Sequence, residues 1–194
     1  MDGNLAYREK PRYEIINGKV VMMASSSPNH NRIAGSIHNM FYNYLKNSAC
    51  EVFQDNTDLF LGEDNREFKP DVMVVCDPEK IRGDKGIFGA PDLIVEVLSP
   101  RTARYDRGAK KDVYERYGVR EYWIVDTRIR SVEQYVLEGG KYRLRDIYTQ
   151  FSEKALEDMD EEDRAELVTE FHCGLFDDLI IRLDDVFARL PKEP

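Results

Sequence analysis

Glu96 interrupts an otherwise apolar run, Leu93-Ile94-Val95-Glu96-Val97-Leu98. In a strand, alternation sets its side chain on the face of Ile94 and Leu98, where an unpaired carboxylate costs several kcal/mol. A cation, a basic side chain or a proton must therefore stabilise it. A second acid, Asp71, follows Pro70 and opens the apolar run Val72-Met73-Val74-Val75. Two carboxylates on neighbouring central strands suffice for one divalent metal, because magnesium takes one or two carboxylates and fills its octahedron with water and substrate oxygens. The same residues also suit a structural arrangement in which Asp71 ends a turn and Glu96 pairs with an arginine. Downstream, Arg101 to Arg120 holds seven basic residues against Asp106, Asp112 and Glu115. Opening a helix after the Glu96 strand, this stretch lets Lys110 or Lys111 fold back over the strand end, to neutralise charge on a phosphate or orient a water. Arg101, Arg104 and Arg107 either contact phosphates or form a solvated basic face.

The elements that position these residues are legible in the hydrophobic pattern. Tyr13 to Ile16, Asn17-Gly18 and Lys19 to Met23 predict a β-hairpin with a type I′ turn. After the loop Ala24 to Asn29, apolar residues at Ile33, Ile37, Met40, Phe41, Tyr44 and Leu45 recur at helical spacing, which predicts a helix over His30 to Lys46, capped by Ser27 or Asn29. Glu51 to Gln54 and Thr57 to Leu61 read as strands around Asp55-Asn56, and Asp71 to Val75 as a strand buried on both faces. Gly83 to Ala90 is a loop before the Leu93 to Leu98 strand, which Ser99-Pro100 stops. Asp106 to Tyr117 is helical and ends at Gly118; Glu121 to Asp126 returns as strand, completing a strand-helix-strand unit around Glu96. Val132 to Leu137 and Tyr142 to Tyr148 form a second hairpin through Gly139-Gly140. A strand at Leu179 to Leu183 and a helix from Asp184 to Leu190 follow the acidic stretch.

The 194 residues, with 42% hydrophobic, suit one domain over 1–194, with a core at about 13–148 and an acidic segment plus strand and helix at 153–190. No apolar run of about 18 residues occurs and Met1 to Arg12 lacks a signal-peptide core, so a cytoplasmic chain without a membrane span is expected. Cys50, Cys76 and Cys173 show no C-x-x-C pairing and read as small buried thiols, not a zinc ribbon or a disulfide framework. The net charge of −9 is concentrated: Glu153 to Glu170 carries nine acids against Lys154 and Arg164. A phosphate-bearing ligand is therefore compatible with the rest of the chain, although nothing predicts strong nonspecific affinity for nucleic acid.

Taken in order, Tyr13-Glu14-Ile15-Ile16-Asn17-Gly18, His30, Pro70-Asp71-Val72, Pro91-Asp92-Leu93-Ile94-Val95-Glu96-Val97-Leu98-Ser99-Pro100, Asp106, Lys110, Tyr114 and Gly118 to Asp126 resemble the Uma-two family of restriction endonucleases. That family belongs to the PD-(D/E)XK nuclease superfamily. The resemblance implies an α/β (mixed α+β) restriction-endonuclease-like core, a central mixed β-sheet flanked by helices, with N-terminal and C-terminal hairpins. It implies Asp71 and Glu96 as ligands of magnesium or manganese. The superfamily's lysine would fall at position 98, where this chain has Leu98; the Uma-type pattern carries it on the following helix, matching Lys110. Glu14 resembles the family's early acid, and His30 matches a position suited to contact phosphate or assist proton transfer.

Two functional classes follow. The first is a magnesium-dependent endodeoxyribonuclease, with nucleic acid as partner and DNA ahead of RNA. The second is a noncatalytic module that keeps the nuclease fold to bind nucleic acid or a protein, since no helix-turn-helix or zinc finger is evident. A hydrolase of smaller phosphate esters is a third, weaker reading. Cutting both strands is easiest for a symmetric homodimer, for which the aromatic-rich hairpin Val132 to Tyr148 is the candidate surface.

Overall fold

The computed structural model describes residues 13–16, 18–22, 25–54, 56–62 and 66–191. Residues 1–12, 17, 23, 24, 55, 63–65 and 192–194 lie outside these, and with them the expected turn position at Asn17, the strand end at Met23 and the loop start at Ala24.

Strands β1 (Tyr13–Ile16) and β2 (Lys19–Met22) form the first hairpin, with Ile16 opposite Lys19. Helix α1 (Pro28–Leu45) begins where the Ser27 hydroxyl accepts the His30 N–H at 3.2 Å and Pro28 occupies the first turn. Its buried stripe is Ile33, Ala34, Ile37, Phe41 and Leu45. Six short strands follow: β3 (Glu51–Gln54), β4 (Leu59–Leu61), β5 (Arg66–Phe68), β6 (Val72–Val75), β7 (Ile87–Phe88) and β8 (Leu93–Val97). The predicted strand at Thr57 is thus shorter than expected, and β5 and β7 were not anticipated. The chain then runs through α2 (Ala103–Tyr105), one π-helical turn over Asp106–Lys110, and α3 (Lys111–Tyr117). Gly118, at φ 84°, ends α3 by returning its N–H to Tyr114 and Glu115 carbonyls, a left-handed cap that glycine adopts without steric cost. Strands β9 (Glu121–Asp126), β10 (Ser131–Glu138) and β11 (Lys141–Thr149) complete the main sheet. The acidic segment forms two short helices, α4 (Glu153–Glu157) and α5 (Glu161–Ala165), and then β12 (Glu170–His172). β12 pairs with β13 (Ile180–Arg182), and α6 (Leu183–Phe187) follows, ending earlier than the sequence suggested.

The main sheet has the order β11-β10-β9-β8-β6-β3. Every neighbouring pair is antiparallel except β8 and β9, which run parallel and are joined by the α2–π–α3 crossover. A small sheet, β5-β4-β7, covers one side. Both faces of the central strands are buried, as the near-continuous apolar runs require. Val74, Val95, Trp123 and Val125 pack with α1 and α6. Met73, Ile94, Tyr122 and Ile124 pack with α3 and the small sheet. Glu96 lies on the Ile94 side, where alternation put it. The tyrosines of the β10–β11 hairpin are engaged within the chain: Tyr135 and Tyr142 pack around Tyr122, and Tyr148 stacks on Phe171.

The cysteine expectation is corrected. Cys50 and Cys76 form a disulfide, and only Cys173 is a buried free thiol. Glu51 faces Val75 across the β3–β6 ladder, so the two cysteines lie one step further along the same register. Strand pairing, not local spacing, makes the contact, which is why a count of Cys intervals misses it. Thiol titration of the unfolded, unreduced chain should therefore find one thiol; three would contradict the assigned bond. Reduction should lower the unfolding free energy by about 2–4 kcal/mol, read from denaturant melts with and without dithiothreitol.

Candidate active site

Lys110 is the centre of the arrangement. Its side chain is 3% exposed, and its Nζ lies 2.9 Å from Glu14 Oε1, 3.0 Å from Glu96 Oε1 and 3.4 Å from Asp106 Oδ1. Three elements deliver those carboxylates: the N-terminal hairpin, strand β8 and the π-helical turn. An ammonium has three N–H donors, and three carboxylates surround it. The Tyr114 hydroxyl, one turn further along the helix, also donates to Glu96 Oε1 at 2.8 Å. Asp106, Lys110 and Tyr114 are thus spaced four residues apart and all face inward. Glu14 is fixed from a second direction, its Oε1 accepting the Lys69 backbone N–H at 3.0 Å. A glutamate beside a hairpin turn is usually solvated, but this one is only 2% exposed.

Asp71 sits just before β6. Because Val72 faces Val95 across the β6–β8 ladder, Asp71 continues that register beside Glu96. Its Oδ2 accepts the Val97 backbone N–H at 2.7 Å and lies 3.1 Å from His30 Nε2. His30 comes from the first turn of α1, whose Ser27 cap fixes the helix start. Hydrogen bonds within the described residues thus fall on one oxygen of Asp71 and one of Glu96. Both residues, with Glu14, His30 and Lys110, line a cavity of about 660 Å³. Arg101, Arg107 and Arg128 also line it. All five residues singled out by sequence therefore converge. Asp106, Tyr114 and the Lys69 amide were not given roles from sequence, although the four-residue spacing from Asp106 to Lys110 to Tyr114 was a usable signal.

The electrostatics follow from burial. Burial alone would pull the Lys110 ammonium down, but Glu96, Glu14 and Asp106 outweigh it and hold its pKa well above the ordinary lysine value. Burial pushes Glu96 well above the usual carboxyl range, with Lys110 opposing the shift and Asp106, Asp71 and Glu14 adding to it. Asp106 is raised in the same way and for the same leading reason. Burial also raises the Tyr114 phenol, so it is a hydrogen-bond donor at neutral pH. Three carboxyl groups, Glu14, Glu96 and Asp106, thus share one lysine, with Asp71 held beside them by His30 and the Val97 amide.

That donor set suits a hard divalent cation. The groups are carboxylates with no thiol among them, and they outnumber the positive charge beside them. Among the described residues no group of three or more His, Cys, Asp or Glu side chains is disposed to hold a metal ion. Magnesium does not need such a cage, since waters and substrate oxygens supply the rest of its shell.

The profile of the Uma2 family, described as "Putative restriction endonuclease", matches residues 4–165. Two uncharacterized proteins of Synechocystis sp. are similar in sequence. One is 30% identical over 129 residues, spanning 66% of this chain and 67% of that protein. The other is 29% identical over 130 residues, spanning 66% and 73%. A crystal structure titled as a "putative nuclease belonging to DUF820" from Anabaena variabilis superposes with a TM-score of 0.69 at 17% identity, covering 92% of this chain and 90% of that one. At that identity the likeness speaks to the fold, and the nuclease-type fold expected from sequence is the one observed. Among the described residues no helix is long and apolar enough to cross a membrane. The match over most of its length makes this chain a member of the Uma2 family, a family of the restriction-endonuclease type.

Proposed function

We propose that the chain is a metal-dependent endonuclease that hydrolyses phosphodiester bonds of DNA. The observation that carries this reading is the placement of Asp71, just before β6, beside Glu96 on the adjacent strand β8, next to a buried lysine and at the wall of a cavity lined by arginines. Asp71 and Glu96 would hold magnesium or manganese, which when bound supplies positive charge at the scissile phosphate and acidifies a water. The Val97 amide and His30 hold one oxygen of Asp71 in place. Lys110 and Tyr114 do the same for Glu96. Lys110 stays protonated and sets a fixed positive charge next to the reacting phosphate, where negative charge grows in the transition state. It fills from the helix the role that Leu98 on the strand cannot. Glu14 positions Lys110, and His30, at the cavity wall, is placed to contact phosphate or pass a proton. Asp106 keeps the lysine charged from its third side.

In the nuclease reading, Asp71→Asn and Glu96→Gln each lower DNA cleavage in magnesium by about a hundredfold or more while leaving the circular dichroism spectrum unchanged. Full cleavage by either variant would overturn the mechanism. DNA binding by the wild-type chain together with no cleavage once magnesium is supplied would favour the noncatalytic module instead.

The raised Asp106 carboxyl gives a stability prediction. Its folded state holds the proton more tightly than the unfolded chain does, so its contribution is complete below the unfolded carboxyl pKa of about 3.9 and is lost as pH rises through the raised folded value. Asp106→Asn cannot ionise and avoids that loss. In metal-free buffer the variant should be more stable than wild type at pH 8, with the gap closing towards pH 4; equal denaturation midpoints at both pH values would contradict the assignment.

A further inference from the structure

Arg107 lies three residues before Lys110 in the same π-helical turn and lines the same cavity. Its guanidinium is clamped from one side. Glu133 Oε1, on β10, accepts the Arg107 Nε–H at 2.9 Å and lies 2.7 Å from Nη2. The other oxygen of Glu133 accepts the Tyr135 hydroxyl at 2.8 Å, and Lys111 Nζ stands 3.7 Å from the centre of the Tyr135 ring. Glu133 itself is only 9% exposed, so the clamp is rigid and largely dry. Beyond it, Asp126 approaches Nη2 only to 3.8 Å, and no described residue accepts from Nη1. The Arg107 side chain is 40% exposed although its inner edge is buried in the pair.

A guanidinium has five N–H donors in a planar fork, and fixing one edge leaves the other pre-organised for a bidentate oxyanion such as a phosphate. A purely structural ion pair needs neither the Tyr135 brace nor an open edge at a cavity. We infer that Arg107 binds a phosphate of the substrate, and that Glu133 is its positioning residue. This rests on the nuclease reading above and deepens it by adding a phosphate contact at the cavity wall.

The test is equilibrium binding of a short fluorescein-labelled duplex DNA to the full chain in EDTA, followed by anisotropy across a salt series. Arg107→Ala should weaken binding about tenfold and reduce the slope of log Kd against log salt by about one, the signature of one lost phosphate contact. Arg107→Lys keeps a charge to face Glu133, guarding against misfolding, and Glu133→Gln keeps the shape of the clamp. Arg107→Lys should weaken binding several-fold with the salt slope held near wild type, because geometry and not charge is lost, and Glu133→Gln should weaken it as well, despite removing a negative charge, because the guanidinium fork is no longer held. Wild-type affinity and slope in folded Arg107→Ala and Arg107→Lys would overturn the inference, as would a wild-type chain that binds no DNA. Cleavage is not read in this assay. A chain that shows the Arg107 effect but cleaves nothing in magnesium would sink the nuclease reading and leave the phosphate contact standing.

Discussion

A single ammonium group held among three carboxylates, out of water, organises this end of the molecule. Glu14 comes from a hairpin far away in sequence, Glu96 from a central strand and Asp106 from the helical crossover that follows it, and Lys110 joins all three. Removing Lys110 leaves three buried carboxyl groups without their cation, and breaking buried ion pairs in this way costs about 3–5 kcal/mol, so these elements must dock together for any of them to be stable there. The π-helical turn matters for the same reason. It puts Asp106 and Lys110 both inward at the point where the crossover passes over β8, and such turns are frequent at functional sites.

Another buried carboxylate, away from this cluster, shows what a structural one looks like. Glu121 is fully buried, and its Oε1 accepts the Trp123 indole N–H at 2.6 Å and the Gln134 amide at 2.7 Å. Its Oε2 receives the Cys173 thiol at 3.6 Å. Its donors are neutral and it lines no cavity described here. Glu96 differs on each count: its partners include a lysine, three further carboxyl groups raise or share its charge, and it opens onto a cavity with arginines at its wall. A fold needs only the first kind of site. The second kind keeps an excess of carboxylates at the cost of stability, which is what the proposed cation and charged substrate would use.

Much of this was legible in the residues. The apolar run broken by Glu96, the apolar run that follows Pro70-Asp71 and the pairing of β1 with β2 each follow from alternation, and the first two locate the strands that carry Glu96 and follow Asp71. The helix positions of His30 and Lys110 followed from 3.6-residue spacing. What stayed hidden depended on pairing between distant segments. The Cys50–Cys76 bond needs the β3–β6 register, and the burial of Glu14 needs the hairpin to dock against β5 beside Lys69. The Arg107–Glu133 clamp needs β10 to lie beside the crossover. Strands as short as β5 and β7 escape because two or three residues carry no readable period.

The central claim is that Asp71 and Glu96 together hold a divalent cation. Calorimetric titration of manganese into the metal-free chain and into the Asp71→Asn, Glu96→Gln double variant tests it without any knowledge of the target sequence. The account predicts saturable binding to the wild-type chain that is lost in the double variant while the fold is kept. Equal binding to both proteins would place the cation elsewhere and contradict it.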